Sequence, residues 1–435
     1  MKKYLTPVSA LQFYQLVRYG ALVLTGIIFT KTQLTQAEIG SWETFLFLAG
    51  AVSFFWLNGF LRALLPVAGE TEQAPQKSPA VFTSFVLISA ASLLCALLLY
   101  FASPAVSATL LNGKEIPFRS LLIIFLVTGT PSSLIEYLYL LKKKSIQIVR
   151  YAIISFSAQL TLVIVPVSLG WGIQAAITGL VVSMLLRYGW LLTVLIRHFP
   201  LSFSFGFARQ YIRLALPLVG ATLLGGSAEY VDGFIVTSRF SNEVFAIFRY
   251  GARELPLALL MANALSNSML PEMANRGALT QNLHRLRENS RRIMHLLFPL
   301  SMIFILLAHP VFPLLFNPKF AASATIFNIY LLLVISRLLF PQTILIGLKY
   351  TRQILIASAF ELALNVSLSL LLVRFFGITG IAAATVIAYL FEKMILIRMV
   401  KTQLDIAPSA YIPRKLYLGY SAGLLIVFIF AELIF

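Results

Sequence analysis

Residues 80–103 read AVFTSFVLISAASLLCALLLYFAS, an apolar run without one charged side chain. A helix needs roughly 20 such residues to cross about 30 Å of hydrocarbon, at about 1.5 Å of rise per residue. This run meets that length. Applied outward in both directions, the same ruler marks spans near 11–30, 42–66, 117–141, 149–170, 173–197, 213–237, 244–271, 293–316, 321–347, 352–374 and 378–399, with a further apolar stretch at 416–435. Composition agrees, because 59% hydrophobic and 11% charged residues leave more apolar surface than a soluble domain can bury. The expected fold is an all-α polytopic membrane protein of twelve spans with a thirteenth helix at the C-terminus.

A net charge of +18 raises the question of nucleic acid. The basic residues fall between apolar runs rather than in one patch, so no nucleic-acid partner is expected. They concentrate in alternate loops: Lys2 and Lys3; Arg62 and Lys77; Lys142, Lys143, Lys144 and Arg150; Arg197, Arg209 and Arg213; Arg276 to Arg292; Lys349 and Arg352; Arg398 to Lys415. Lys and Arg are retained on the cytoplasmic side, which places the N-terminus there and makes the lipid bilayer the protein's solvent. The loops at 197–213 and 272–292 also carry aromatic or Leu residues, and read either as topology signal alone or as contacts with anionic lipid. The opening Met1-Lys2-Lys3 and the apolar 11–30 resemble a signal peptide, but Arg18 interrupts the run and no small-residue cleavage site follows. A retained first helix is expected.

Catalysis is not expected. Cys95 stands alone in an apolar run, excluding an intrachain disulfide and a cysteine metal site. His198, His284, His295 and His309 are scattered, and no phosphate loop, metal-ligand cluster or nucleophilic triad is recognisable. No cofactor, metal or catalytic residue is assigned.

The two halves share features at one fixed spacing. Glu38-Ile39 and Glu243-Val244, Asn58 and Asn263, Leu65-Pro66 and Leu270-Pro271, and Gly172-Ile173 and Gly377-Ile378 are each 205 positions apart. Six helices thus repeat as six more. Six is even, so both halves start on the same side, the parallel arrangement of transporters that bind substrate between lobes and rock them. The expected organisation is a six-helix lobe at 1–198, a cytoplasmic linker at 199–212, a second lobe at 213–400, and a loop with the extra helix at 401–435.

Charges inside a bilayer are costly and normally face a cavity or a partner. Arg18, inside the first span, either points into a cytoplasm-facing cavity or snorkels. Read as one continuous helix, the eighth span aligns Arg249, Arg253, Asn263 and Asn267 within an arc of roughly 80°. Such a stripe suits a substrate path, to which Asn58 and the deep Arg337 are added. Glu361 is the expected alternative partner of Arg337. Glu229 and Asp232, one turn apart on the seventh span, either neutralise Arg249 and Arg253 or bind a coupling H+ or Na+. Glu136, Arg187, Glu392 and Lys393 lie near cytoplasmic ends and are left outside the site. Inward-facing arginines suit a phosphate or pyrophosphate, since a guanidinium offers paired donors.

The elements Leu34-Thr35-Gln36-Ala37-Glu38-Ile39-Gly40-Ser41-Trp42, Leu65-Pro66, Gly172-Ile173-Gln174-Ala175-Ala176, Ser241 to Phe248, Leu270-Pro271 and Gly377-Ile378-Thr379-Gly380-Ile381, in this order, resemble the polysaccharide-biosynthesis (O-antigen) flippases of the multidrug, oligosaccharidyl-lipid and polysaccharide exporter superfamily. Phe245 departs from the Gly expected by analogy with Gly40. The resemblance implies an ion-coupled, alternating-access flippase of a bacterial inner membrane, moving an undecaprenyl-pyrophosphate-linked oligosaccharide outward, with glycan polymerase machinery as a partner. The arginines would then meet pyrophosphate or acidic sugar. A cation-coupled multidrug exporter and a lipid II flippase are the competing readings.

Overall fold

The computed structural model describes residues 7–69, 79–142, 144–254, 256–274 and 276–434. Lys2, Lys3, Lys77 and Lys143, and the side chains of Pro66, Glu229, Pro271 and Arg276, lie outside the described residues. The described residues form helices and no strand: α1 (Pro7–Thr30), α2 (Gln36–Gly69), α3 (Ala80–Leu110), α4 (Arg119–Ser132), α5 (Ile135–Leu141), α6 (Ser145–Ser168), α7 (Gly172–His198), α8 (Phe205–Arg239), α9 (Asn242–Gly251), α10 (Pro256–Ala274), α11 (Leu279–Leu315), α12 (Ala322–Leu331), α13 (Leu333–Arg337), α14 (Pro341–Gly347), α15 (Thr351–Leu404) and α16 (Arg414–Ile434). Helices are what a bilayer permits, because each satisfies its own backbone polar groups. Among the described residues nine helices are long and apolar enough to cross a membrane, and α12–α13 with α14 make a tenth if that pair, bent by 45°, is one span. The protein is therefore a multi-pass membrane protein, and α16 is among the nine.

Helix starts recur at the repeated sequence elements. Thr35 and Glu38 form a capping box at the start of α2: the Glu38 N–H donates to Thr35 Oγ1 (3.2 Å) and the Thr35 N–H to Glu38 Oε2 (2.8 Å). At the start of α9 the Val244 N–H donates to Ser241 Oγ at 3.4 Å. Gly172, opening α7, has φ of +77°, and Gly377 has φ of +60°. Only glycine adopts this region without crowding its Cβ. Gly377 sits inside α15, where it separates two helices that stand for the eleventh and twelfth spans.

The eighth span departs from expectation. It is not one helix: α9 ends at Gly251, residues 252–254 are non-helical, and α10 starts at Pro256. Proline has no N–H to donate and pushes the residue before it out of the helical region, so the ladder cannot run through. Arg253 thus lies in the break, and the single polar arc drawn through Arg249, Arg253, Asn263 and Asn267 does not exist. The fourth and tenth spans are likewise interrupted, at 133–134 after Pro131 and at 338–340 before Pro341.

The chain folds into two compact units, Met1–Gly226 with Thr237–Ala246, and Ser227–Val236 with Ile247–Phe435. In the first, α1 and α7 pack on α6, and α4 packs on α3 and α7, around Tyr14, Trp56, Tyr151, Phe156 and Tyr211. In the second, α10 packs on α11 and α14, and α11 on α12 and α16, around Met269, Met273, Phe340, Leu345 and Tyr411. Lipid tails are as apolar as leucine, so close packing and polar contacts rather than water expulsion hold such helices together. A Cβ on Gly179 of α7 would strike the Leu162 carbonyl of α6, and one on Gly380 would strike the Leu372 carbonyl.

Candidate transport and coupling sites

In the first unit, Arg18 is exposed on α1, one turn from buried Tyr14. Tyr14 stacks on Tyr151 at 6.0 Å between ring centres and meets Phe156 at 5.4 Å. Beside this aromatic layer sit two charges that their position near helix ends left outside the expected site. Glu136 of α5 is only 4% exposed, and Arg187 of α7 is buried as well. Neither snorkels. The Arg187 guanidinium lies 4.3 Å from the Phe156 ring centre and donates to Gln159 Oε1 (2.7 Å) and the Ser155 carbonyl (3.3 Å). Glu136 is within electrostatic reach of Tyr14, Arg18 and Arg187. Asn58 is exposed on α2, its amide nitrogen returned to the Phe54 carbonyl at 2.8 Å, which leaves the amide oxygen as its outward group.

The second unit holds a larger polar interior. Asp232 of α8 is 1% exposed. Its Oδ2 accepts from the Tyr330 hydroxyl of α12 at 2.8 Å and from Thr385 Oγ1 of α15. Thr385 Oγ1 in turn accepts from Asn365 Nδ2 at 3.1 Å, and Ser369 Oγ donates to Asn365 Oδ1 at 3.4 Å. Two hydroxyls thus donate to one buried carboxylate, and Asn365 and Ser369 extend the chain of hydrogen bonds behind Thr385. Such a set, all oxygen and of net negative charge, suits a proton or a hard cation. Among the described residues no group of three His, Cys, Asp or Glu side chains is placed to hold a metal ion.

Arg337 ends α13 and is clasped by Glu254, Nη2 to Oε1 at 2.7 Å and Nε to Oε2 at 3.1 Å. Its partner is therefore Glu254 rather than Glu361. Glu254 lies in the break before Pro256, so the interruption of the eighth span is also what delivers this carboxylate. The guanidinium lies 4.7 Å from the Tyr389 ring centre. Arg249 and Arg253 are half-buried, Arg253 over the Tyr250 ring at 4.7 Å, while Asn263 and Asn267 are exposed along α10. Glu392 and Lys393 are buried and paired at 2.9 Å, Lys393 also donating to Gln342 Oε1 at 3.2 Å and Ser358 to Glu392 Oε1 at 3.2 Å. Their place near a helix end misled, since burial and not depth decides whether a charge is structural.

Of the expected site residues, the structure places Asp232 and Arg337 in one polar interior and leaves Arg18, Asn58, Asn263 and Asn267 on exposed helix faces. Tyr330, Asn365 and Thr385 were missed. A signal existed: Ser358, Glu361, Asn365 and Ser369 recur at helical spacing along the eleventh span, and all four are buried.

The family model for polysaccharide biosynthesis proteins matches residues 34–325, two thirds of the sequence and both halves of the repeat. The chain belongs to that family. A curated relative, the probable lipid II flippase MurJ of Bdellovibrio bacteriovorus, is 29% identical over 161 residues, a match covering 34% of this chain and only 30% of the relative. Among solved structures, this polysaccharide biosynthesis protein superposes on a lipid II flippase MurJ in an inward closed conformation with a TM-score of 0.70, at 18% identity over 97% of this chain and 93% of the other. An inward-facing multidrug resistance MATE family transporter of the MOP superfamily gives a TM-score of 0.65 at 14% identity, covering 92% and 98%. At these identities the likeness is one of fold. The relatives named are flippases and transporters, not enzymes.

Proposed function

We propose that the protein is an alternating-access flippase for an undecaprenyl-pyrophosphate-linked oligosaccharide, carrying it from the cytoplasmic to the periplasmic leaflet of the inner membrane. The observation carrying this reading is Arg18, an exposed guanidinium within a membrane-spanning helix of a polysaccharide biosynthesis protein. A guanidinium offers two parallel donors to a phosphate, and a cationic drug would be repelled by it. Within the first unit Asn58 supplies a neutral group for sugar hydroxyls, and within the second unit Arg249 and Arg253 are further guanidiniums and Asn263 and Asn267 further neutral groups of the same kind. Arg337, fixed by Glu254, positions charge near the coupling group rather than meeting substrate by itself. Asp232, with Thr385, Asn365 and Tyr330, is the group that binds the coupling H+ or Na+. Glu229 stands beside it in sequence as a second carboxylate for that ion. Glycan polymerase machinery is the partner expected downstream.

The test is surface glycan in a strain deleted for its own O-antigen flippase, comparing wild type with Arg18→Ala and Asp232→Asn at matched membrane abundance. Restoration by the wild type and loss by both variants supports the reading. Export of cationic dyes with no restored glycan on several donor backgrounds would replace it with the drug-exporter reading. The structural likeness to a lipid II flippase favours a second reading, in which the cargo is the peptidoglycan precursor. Rescue of growth after depletion of the resident lipid II flippase decides between the two cargoes.

A further inference from the structure

The second unit contains a second buried carboxylate that the coupling site above does not use. Glu361 of α15 is 4% exposed, and among the described residues its buried Oε1 meets no hydrogen-bond partner. The charged and titratable groups around it are Asp232 from α8, Arg337 from α13, and Tyr389, Glu392 and Lys393 from the second half of α15. Both nearby cations are already engaged: Arg337 with Glu254, and Lys393 with Glu392 and Gln342. An ionised carboxylate held in a dry interior without a partner is unfavourable, and binding one proton removes its charge. Protonation needs a single oxygen. A metal cation needs several oxygen ligands at once, and among the described residues no hydrogen-bonding side chain meets Glu361 Oε1 to serve as one.

Position adds to burial. Ser358, Glu361, Asn365 and Ser369 follow one face of α15, with Ser358 bonded to Glu392 and Asn365 bonded to Thr385, the Asp232 partner. Glu361 therefore lies between the Glu392–Lys393 pair and the Asp232 cluster, on the only carboxylate-bearing turn between them. We propose that Glu361 is a proton-binding residue of the second unit, relaying a proton between its Lys393 end and Asp232. The carboxylate takes up H+ to become the neutral acid and returns to the carboxylate on releasing it, with no other bond made or broken. Coupling of this proton to cargo movement rests on the transporter reading. The binding of the proton does not.

The test is pH-difference infrared spectroscopy on the full-length protein in liposomes, reading the carbonyl stretch of protonated carboxylic acid. Wild type should show a band that titrates, Glu361→Gln should lose it, and Glu361→Asp should retain it at a shifted position. Glu361→Asp also guards against a variant that fails to fold. A titrating band unchanged in Glu361→Gln overturns the proposal. Loss of that band in Glu361→Gln supports it even when the wild type moves no glycan, in which case only the flippase reading falls.

Discussion

Arg337 and Glu254 form the best-defined ion pair of the second unit, bidentate and about three-quarters buried. Removing one member leaves the other desolvated, whereas removing both does not. Arg337→Leu should therefore destabilise the protein by about 1–3 kcal/mol, and Arg337→Leu with Glu254→Leu should recover part of that loss. Thermal unfolding of the detergent-solubilised variants, completed as a double-mutant cycle, reads the coupling. A milder residue-scale effect belongs to Glu243 in the first turn of α9. The Ser241 hydroxyl, its own backbone N–H and Lys114 hold its carboxyl below the usual range. Because the folded form releases its proton more readily, this stabilisation is complete above the ordinary carboxylate pKa of about 4.3 and fades as pH falls through the lower folded value. Glu243→Gln should lower the melting temperature slightly at neutral pH and leave it unchanged in strong acid.

At the scale of elements, the left-handed glycines carry the sharpest expectation. Gly377→Ala and Gly377→Asn should each cost about 1–3 kcal/mol, because φ of 60° with ψ of −138° lies outside the left-handed helical region that asparagine tolerates. Gly179→Val is of another kind, because the Leu162 carbonyl stands where its side chain must go. It should prevent α6 and α7 from closing and remove folded protein from size-exclusion profiles. These positions also show what the sequence could and could not reveal. Most spans and the extra helix were legible, because apolar length survives without coordinates. The break at 252–254 was also written there, in Pro256, but the polar pattern across it looked helical and outweighed the proline. The burial of Glu136, Arg187, Glu392 and Lys393 was not legible for a different reason: nearness to a helix end is a one-dimensional measure, and their burial comes from packing. Asp232 was legible as a carboxylate within the seventh span, whereas its partners Tyr330 and Thr385 are common residues that only packing brings to it.

For the molecule as a whole, the extra helix is tied in at several depths. His295 shares a hydrogen bond with Tyr420 at 2.8 Å, Phe298 stacks on Tyr420 at 5.2 Å, and Glu432 accepts from Asn328 Nδ2 at 2.8 Å and faces His309 Nε2 at 3.0 Å. Deleting residues 406–435 should lower the melting temperature of the solubilised protein by several degrees, with Glu432→Ala producing a part of that loss. A melting temperature unaltered by the deletion would mean that α16 is a passenger. Its crossing has a further, practical consequence. Because α16 spans after Arg414, anything joined beyond Ile434 emerges on the opposite face from Asp405. With the N-terminus on the cytoplasmic side, as the charge distribution predicts, an alkaline phosphatase fused there should be active and a conventional green fluorescent protein dark, and the same two reporters fused after Asp405 should exchange behaviour.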